Sequence, residues 1–127
     1  KNNYLYFLSR KQDLIISSGK NIFPVDIEKE LLKISFIKEA AVIGIKDKFF
    51  GEIVFAVCVL NTRISKVEEK IKNILSKKLS THQLPVGYSF IRQLPKNRLG
   101  KIQKKILREK YNALKLDFTK NLRKILN

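Results

Sequence analysis

Two near-continuous apolar runs, EAAVIGI at residues 39–45 and EIVFAVCVLN at 52–61, lie either side of the turn-like segment Lys46 to Gly51. A strand that is apolar on both alternating faces needs cover on both sides, so the pair predicts central strands with other elements packed above and below. The flanking sequence supplies that cover. Ile27, Leu31 and Ile34 recur at spacings of four and three and predict an amphipathic helix over 25–34, with Pro24 suited to its first turn and Asp26 and Glu28 near its positive end. Residues 65–79 predict a second helix, with Ser65 as N-cap, Glu68 completing a capping box, and Val67, Ile71, Leu75 and Leu79 as the buried stripe. YSFIRQL, 88–94, reads as a third strand, and a last helix is predicted from 102 through Ile102, Ile106 and Leu107 towards Leu114. Near the start, YLYFLS (4–9) and DLIIS (13–17) flank the polar Arg10-Lys11-Gln12 and predict a small hairpin, with Ser17 to Asn21 as a following loop. The expected class is α+β: a small domain with an N-terminal β-hairpin and a mainly three-stranded sheet flanked by helices.

At 127 residues the chain is one domain, short for a nucleotide-processing enzyme, and is expected to be a piece of something larger. Its net charge of +16 is uneven: residues 1–60 carry 9 basic and 7 acidic groups, net +2, and residues 61–127 carry 18 and 4, net +14. Such a half suits an anionic partner such as ATP, CoA phosphates, nucleic acid or acidic lipid, or is a solvated surface. The excess is made of 21 Lys against 6 Arg, whereas base and phosphate reading favours the bidentate guanidinium. No specific nucleic-acid partner is therefore expected. The single cysteine, Cys58, excludes an internal disulfide and a thiolate cluster, sits inside an apolar run, and reads as a small buried hydrophobe in a cytoplasmic setting. His82 is the only histidine and is expected on the surface, so no metal site is predicted. No run of about 18 apolar residues predicts a membrane span, and KNNYLYFLSR does not read as a secretory signal. The tail places Leu114, Phe118, Leu122 and Ile125 on one helical stripe among basic residues; packing on a protein or peripheral contact with an acidic membrane both fit that pattern.

The chemistry is carried by PKNRLGK, Pro95 to Lys101, and RKQDLIISSGKNIFP, Arg10 to Pro24. A lysine held by a Gly100 turn at the mouth of a basic helix can set one positive charge on a reacting phosphate or carboxylate. The two stretches resemble the final and the hinge motifs of the acyl-adenylate-forming superfamily, which includes acyl- and aryl-CoA synthetases, luciferases and peptide-synthetase adenylation domains. Pro95, Lys96, Gly100 and Lys101 keep the PKTxSGK-like pattern, with Asn97 for the usual Thr and Leu99 for the usual Ser. Arg10, Asp13, Ile15, Gly19 and Ile22 follow the hinge pattern GRxxDxIxxxGxxI, with Ser9 for the common Gly. Gly51-Glu52 also matches a recurrent pair of the family, although a turn leading into a strand explains it equally.

The resemblance implies that this is the mobile C-terminal domain of an AMP-forming acid–thiol ligase, closest to the fatty-acyl and aryl-CoA synthetases. By it, 1–12 is the hinge segment and start of the hairpin, 13–114 the mobile domain, and 115–127 a basic amphipathic tail. Lys101 is the implied catalytic cation, Gln12 the hinge, and Arg10 and Asn21 nucleotide-binding residues; Asn21 reads equally as a cap of the following helix. Ser17, Ser18 and Gly19 form the implied CoA-channel loop. The implied partner is the N-terminal adenylation domain of the same parent chain, which with this domain takes a carboxylic acid, ATP with Mg²⁺, and CoA; the isolated domain is expected to hold none of these and to be inactive. An acyl carrier protein synthetase, a peptide-synthetase adenylation domain, and a basic nucleic-acid or membrane binding module are the alternatives.

Overall fold

The computed structural model describes residues 13–114. Two long strands, β3 (Ile37–Asp47) and β4 (Gly51–Leu60), pair antiparallel along almost their whole length and form the spine of the molecule. Short strands β1 (Ile15–Ser17) and β2 (Lys20–Ile22) form a hairpin, and β5 (Gly87–Phe90) runs parallel to β4 opposite Phe55 to Cys58. The order is β2-β1-β4-β3, so β1 and β5 share the edge of β4 that β3 leaves open. The described helices are α1 (Pro24–Leu32), α2 (Val67–Ser76) and α3 (Lys104–Ala113), with a 3₁₀ turn at Thr81–Gln83.

The apolar runs are buried on both faces, as their composition requires. Ala40 and Val42 of β3 with Val54, Ala56 and Cys58 of β4 point to one side, where Ile27 and Leu31 of α1, Ile34, and Ile71 and Leu75 of α2 cover them. Ala41, Ile43, Ile45, Ile53, Phe55, Val57 and Val59 point to the other, under Leu94, Leu107 and Tyr111. Helices on two faces of one sheet make an α+β domain. The exposed edge of β3 is covered by side chains: Glu28 accepts from the Val42 N–H at 2.8 Å and Asn112 from the Lys46 N–H at 3.1 Å, which satisfies donors that would otherwise invite another strand.

The α+β class with an N-terminal hairpin and flanking helices is as expected, and among the described residues the hairpin and the three further strands join in one five-stranded sheet through the Ser17–Gly51 pair. Several finer expectations need correction. The described hairpin turns at Ser18-Gly19, with Lys20 and Asn21 already in β2; the segment 4–9 and the Arg10 to Gln12 turn lie outside the described residues. Ser65 does not cap α2: Lys66 occupies that position with φ 52° and no side-chain hydrogen bond, and the expected box with Glu68 is absent. A capping box forms instead at Ser80 and Gln83, where the Gln83 side chain accepts from the Ser80 N–H at 3.0 Å. The third strand ends at Phe90, and Ile102 belongs to a bridge with Lys96 rather than to α3. Leu107 and Tyr111 form the buried stripe of α3, whereas Ile106 and Leu114 are 47% and 54% exposed. The remainder of the tail stripe lies outside the described residues. No described helix is long and apolar enough to cross a membrane.

Candidate functional site

Lys101 sits at the end of a short loop closed by its own backbone. Leu94 is buried at its root, Lys96 pairs with Ile102, and the Gln103 N–H donates to the Pro95 carbonyl at 2.9 Å. Within that frame the Asn97 N–H donates to the Lys101 carbonyl (2.9 Å) and the Gly100 N–H to the Asn97 carbonyl (3.0 Å). The Asn97 side-chain oxygen accepts from both Leu99 N–H (2.9 Å) and Lys101 N–H (3.0 Å). Gly100 completes the turn at φ 83°, a conformation that L-residues with a Cβ disfavour. Leu99 at the tip is 92% exposed. The neighbouring lysines are occupied: Lys96 pairs with Glu39 of β3, and Lys104 with Glu28 at 2.7 Å. Lys101 is exposed, and among the described residues its ammonium pairs with no carboxylate.

Ser17, Ser18 and Gly19 form the second feature. Ser18 has φ 52° and Gly19 φ 77°, so both central residues of the two-residue turn are left-handed, the type I′ signature that matches hairpin twist. This turn is fastened to the one joining β3 and β4, where the Ser18 N–H donates to the Phe50 carbonyl at 2.7 Å and Asp47 accepts from the N–H groups of Phe49 and Phe50 at 2.9 Å each. Glu52 accepts from the Ile16 N–H at 2.9 Å and so holds β1 in place. Ile16, Lys46, Asp47, Lys48, Gly51 and Glu52 line an open cleft at this end of the sheet. Asn21 is exposed on β2 and does not cap α1, whose N-cap is Phe23 without a side-chain cap bond; Pro24 stands at the helix start as expected.

The structure brings Asp13 to α3. Arg108 reaches it at 3.4 Å and Lys104 at 3.8 Å, while Lys104 also holds Glu28. Four mutually neutralising charges therefore join the segment after residue 12 to the helix that follows Lys101. Arg10 and Gln12 lie outside the described residues. The two loops are not brought together. Lys96 is tied to Glu39 near the start of β3, and the Ser18-Gly19 turn meets the far end beyond Asp47; eight residues at about 3.3 Å each put these anchor points about 26 Å apart.

Cys58 is buried, and burial pushes its thiol up to about 12, consistent with packing rather than nucleophilic use. Tyr88 is also raised, by burial first and then by Cys58 and Glu68, and its buried hydroxyl finds no hydrogen-bond partner among the described residues. His82 is exposed. Among the described residues no three His, Cys, Asp or Glu side chains converge as a metal site. Asp13 and Glu28, the carboxylates nearest α3, are neutralised by Lys104 and Arg108, so this donor set does not fit a Mg²⁺ ion. Sequence reasoning missed the anchoring role of Glu52, the Lys104–Arg108 cluster and the use of Asn97. The available signals were a carboxylate opening an apolar strand, a basic pair four apart after Lys101, and an Asn followed three residues later by Gly.

Comparison with known proteins supplies the context. The profile of the AMP-binding enzyme C-terminal domain matches residues 26–101. A long-chain-fatty-acid–CoA ligase of Mycobacterium tuberculosis is 37% identical over 110 residues, 87% of this chain and 22% of that enzyme. A 2-succinylbenzoate–CoA ligase of Bacillus pumilus is 36% identical over 110 residues, again 87% and 22%. The crystal structure of an acyl-CoA synthetase of Brucella canis superposes with a TM-score of 0.74 at 38% identity, over 83% of this chain and 20% of that one. The chain thus spans about a fifth of the length of these relatives.

Proposed function

The chain belongs to the AMP-binding enzyme C-terminal domain family, and on that basis we propose that it is the mobile domain of an AMP-forming acid–thiol ligase whose acceptor is CoA. The observation that carries the reading is the exposed Lys101, whose N–H and carbonyl are both bonded to Asn97 while the nearby Lys96 and Lys104 are engaged in ion pairs. In the first half-reaction an oxygen of the substrate carboxylate attacks the α-phosphorus of ATP and pyrophosphate departs with the electron pair of the broken P–O bond. Negative charge accumulates on the phosphoryl oxygens, and Lys101 meets it already in place, without reorganisation. In the second, the CoA thiol loses its proton and attacks the acyl carbonyl, and AMP leaves.

The turn at Ser17, Ser18 and Gly19 belongs to that second step in this account: with no side chain at Gly19 the backbone can lie against the pantetheine path. Arg10 and Asn21 are assigned to the nucleotide and Gln12 to the pivot. The separation of the two loops supports alternation, since their anchors lie about 26 Å apart along one strand and turning the domain would exchange one for the other at a single site. Mg²⁺, most of the ATP contacts and the acyl pocket are assigned to the upstream domain, and the cytoplasm is the proposed setting. The relatives' names offer a long-chain fatty acid or an aromatic acid as substrate.

The test is acid-dependent pyrophosphate release by the parent protein across short, long and aromatic acids, followed by transfer to CoA or to acyl carrier protein. Release that requires an acid, with thioester formed on CoA, is expected and names the substrate class. Folded parent protein that binds ATP and releases pyrophosphate with none of the acids overturns the reading, and transfer to carrier protein alone overturns the choice of acceptor.

A further inference from the structure

We propose that Asn97 is a positioning residue for adenylation: its side-chain oxygen holds the Leu99 and Lys101 amides and thereby fixes the direction in which Lys101 leaves the loop. The proposal rests on the adenylating role of Lys101. Asn97 is bonded to the segment 99–101 four times. Its own N–H donates to Lys101, its carbonyl accepts from Gly100, and its side-chain oxygen accepts from Leu99 and Lys101. The last two bonds depend on the side chain alone. Without them, the N–H of the reactive lysine has no acceptor within the loop. The Lys96–Ile102 bridge and the two backbone bonds of Asn97 would still close the loop, but the Leu99 and Lys101 amides, and with them the direction of the Lys101 side chain, would lose their restraint.

The surroundings show why this side chain carries the task. Residues 96–101 are all exposed and Leu99 at the tip is 92% exposed, so burial does little to select one conformation of the loop. Gly100 at φ 83°, with nothing within 4 Å of the position of a Cβ, adds freedom rather than restraint. An Asn that accepts from N–H groups two and four residues ahead is a local device that supplies restraint without tertiary packing. The lysine thus moves with its domain as part of a rigid body, and the freedom that remains lies in its side chain. Because charge stabilisation in a transition state depends on placement, loss of this restraint lowers the fraction of encounters in which the ammonium is aligned, and does so for adenylation only.

The experiment compares wild type, Asn97→Ala, Asn97→Thr and Lys101→Ala in the full-length parent. Adenylation is measured as acid-dependent pyrophosphate release, transfer is measured from supplied acyl-AMP, and hydrogen exchange is followed in the segment 96–102. In Asn97→Ala, exchange in that segment should quicken, and kcat for adenylation should fall about tenfold, within the rate equivalent of the two lost hydrogen bonds, with KM for ATP and the transfer rate unchanged. Asn97→Thr, whose hydroxyl accepts the same kind of bond more weakly, should recover part of both. Wild-type adenylation by Asn97→Ala despite faster exchange overturns the proposal. So does an equal fall in both half-reactions with a lowered melting temperature, the mark of a merely structural residue. Should Asn97→Ala not fold, Asn97→Thr carries the same comparison with a smaller expected loss. The control separates the levels: unimpaired adenylation by Lys101→Ala removes the underlying reading, whereas a severe defect there beside a normal Asn97→Ala removes this proposal alone.

Discussion

Gly19 and Gly100 have φ of 77° and 83° and open space where a Cβ would sit, so the backbone, not the packing, demands glycine at both. That distinction decides how the proposed thiol-path role of Gly19 can be tested. Gly19→Leu combines a bulky side chain with left-handed strain of about 1–2 kcal/mol. Gly19→Asn adds a side chain that tolerates this conformation, so it isolates obstruction from strain. It should leave adenylation near wild type and slow thioester formation from supplied acyl-AMP; normal transfer would remove the loop from the CoA path. Cys58 offers a test of the core. Its thiol, raised to about 12 by burial, holds its proton where the unfolded chain's thiol has lost one. The folded state therefore binds more protons above the ordinary thiol range, and this contribution to stability is full at neutral pH and declines as the pH rises towards 12. A thiol reagent at about pH 8 should label Cys58 only on unfolding, and rapid labelling of the native protein would contradict its burial.

At the scale of elements, the β1–β2 hairpin is positioned by one carboxylate. Glu52 accepts from the Ile16 N–H, and Gly44 of β3 leaves the room: a Cβ there would lie 2.7 Å from the other Glu52 oxygen and 3.2 Å from Ile15 Cγ1. Gly44→Ala should cost about 1–3 kcal/mol by overpacking and loosen the hairpin. Hydrogen exchange at Ile16 reads the effect, and an unchanged rate with unchanged stability would show that the carboxylate simply steps aside. The sequence displayed β3 and β4 plainly, because strands buried on both faces have a compositional signature. It could not display β1, β2 and β5 as members of one sheet, since three or four residues are too few to show a period and their places depend on distant partners such as Gly51 and Phe55. Ser65 misled for a related reason: the Ser-x-x-Glu pattern is local, and the left-handed Lys66 at the helix start intervenes. The Lys101 loop was legible as Pro, Gly and Lys at fixed spacing, but the bonds of Asn97 to Leu99 and Lys101 appear only in three dimensions.

Across the whole molecule, two ends of one strand serve two loops, and a charge cluster links the residue after the proposed pivot to α3. Lys104 faces Glu28 and Asp13 with its side chain only 14% exposed, so Lys104→Met should leave Glu28 without its cation and Asp13 with Arg108 alone, and lower stability by about 1–3 kcal/mol, read in the urea midpoint. A shift within experimental error would mean that Arg108 and solvent replace it. The family was legible because its two motifs survive as residue patterns; their separation by a strand's length was not, since spacing in sequence says nothing of the end of the sheet at which a turn emerges. That separation underlies the central claim that one domain serves two half-reactions in turn. The most direct measurement is single-turnover kinetics of the full-length parent, wild type beside Lys101→Ala, with each half-reaction followed separately. The account predicts that the mutant loses adenylation by about 10²–10³, the scale of one preorganised donor, while transfer from supplied acyl-AMP to CoA continues near the wild-type rate. Equal loss of both, or loss of neither, would contradict it.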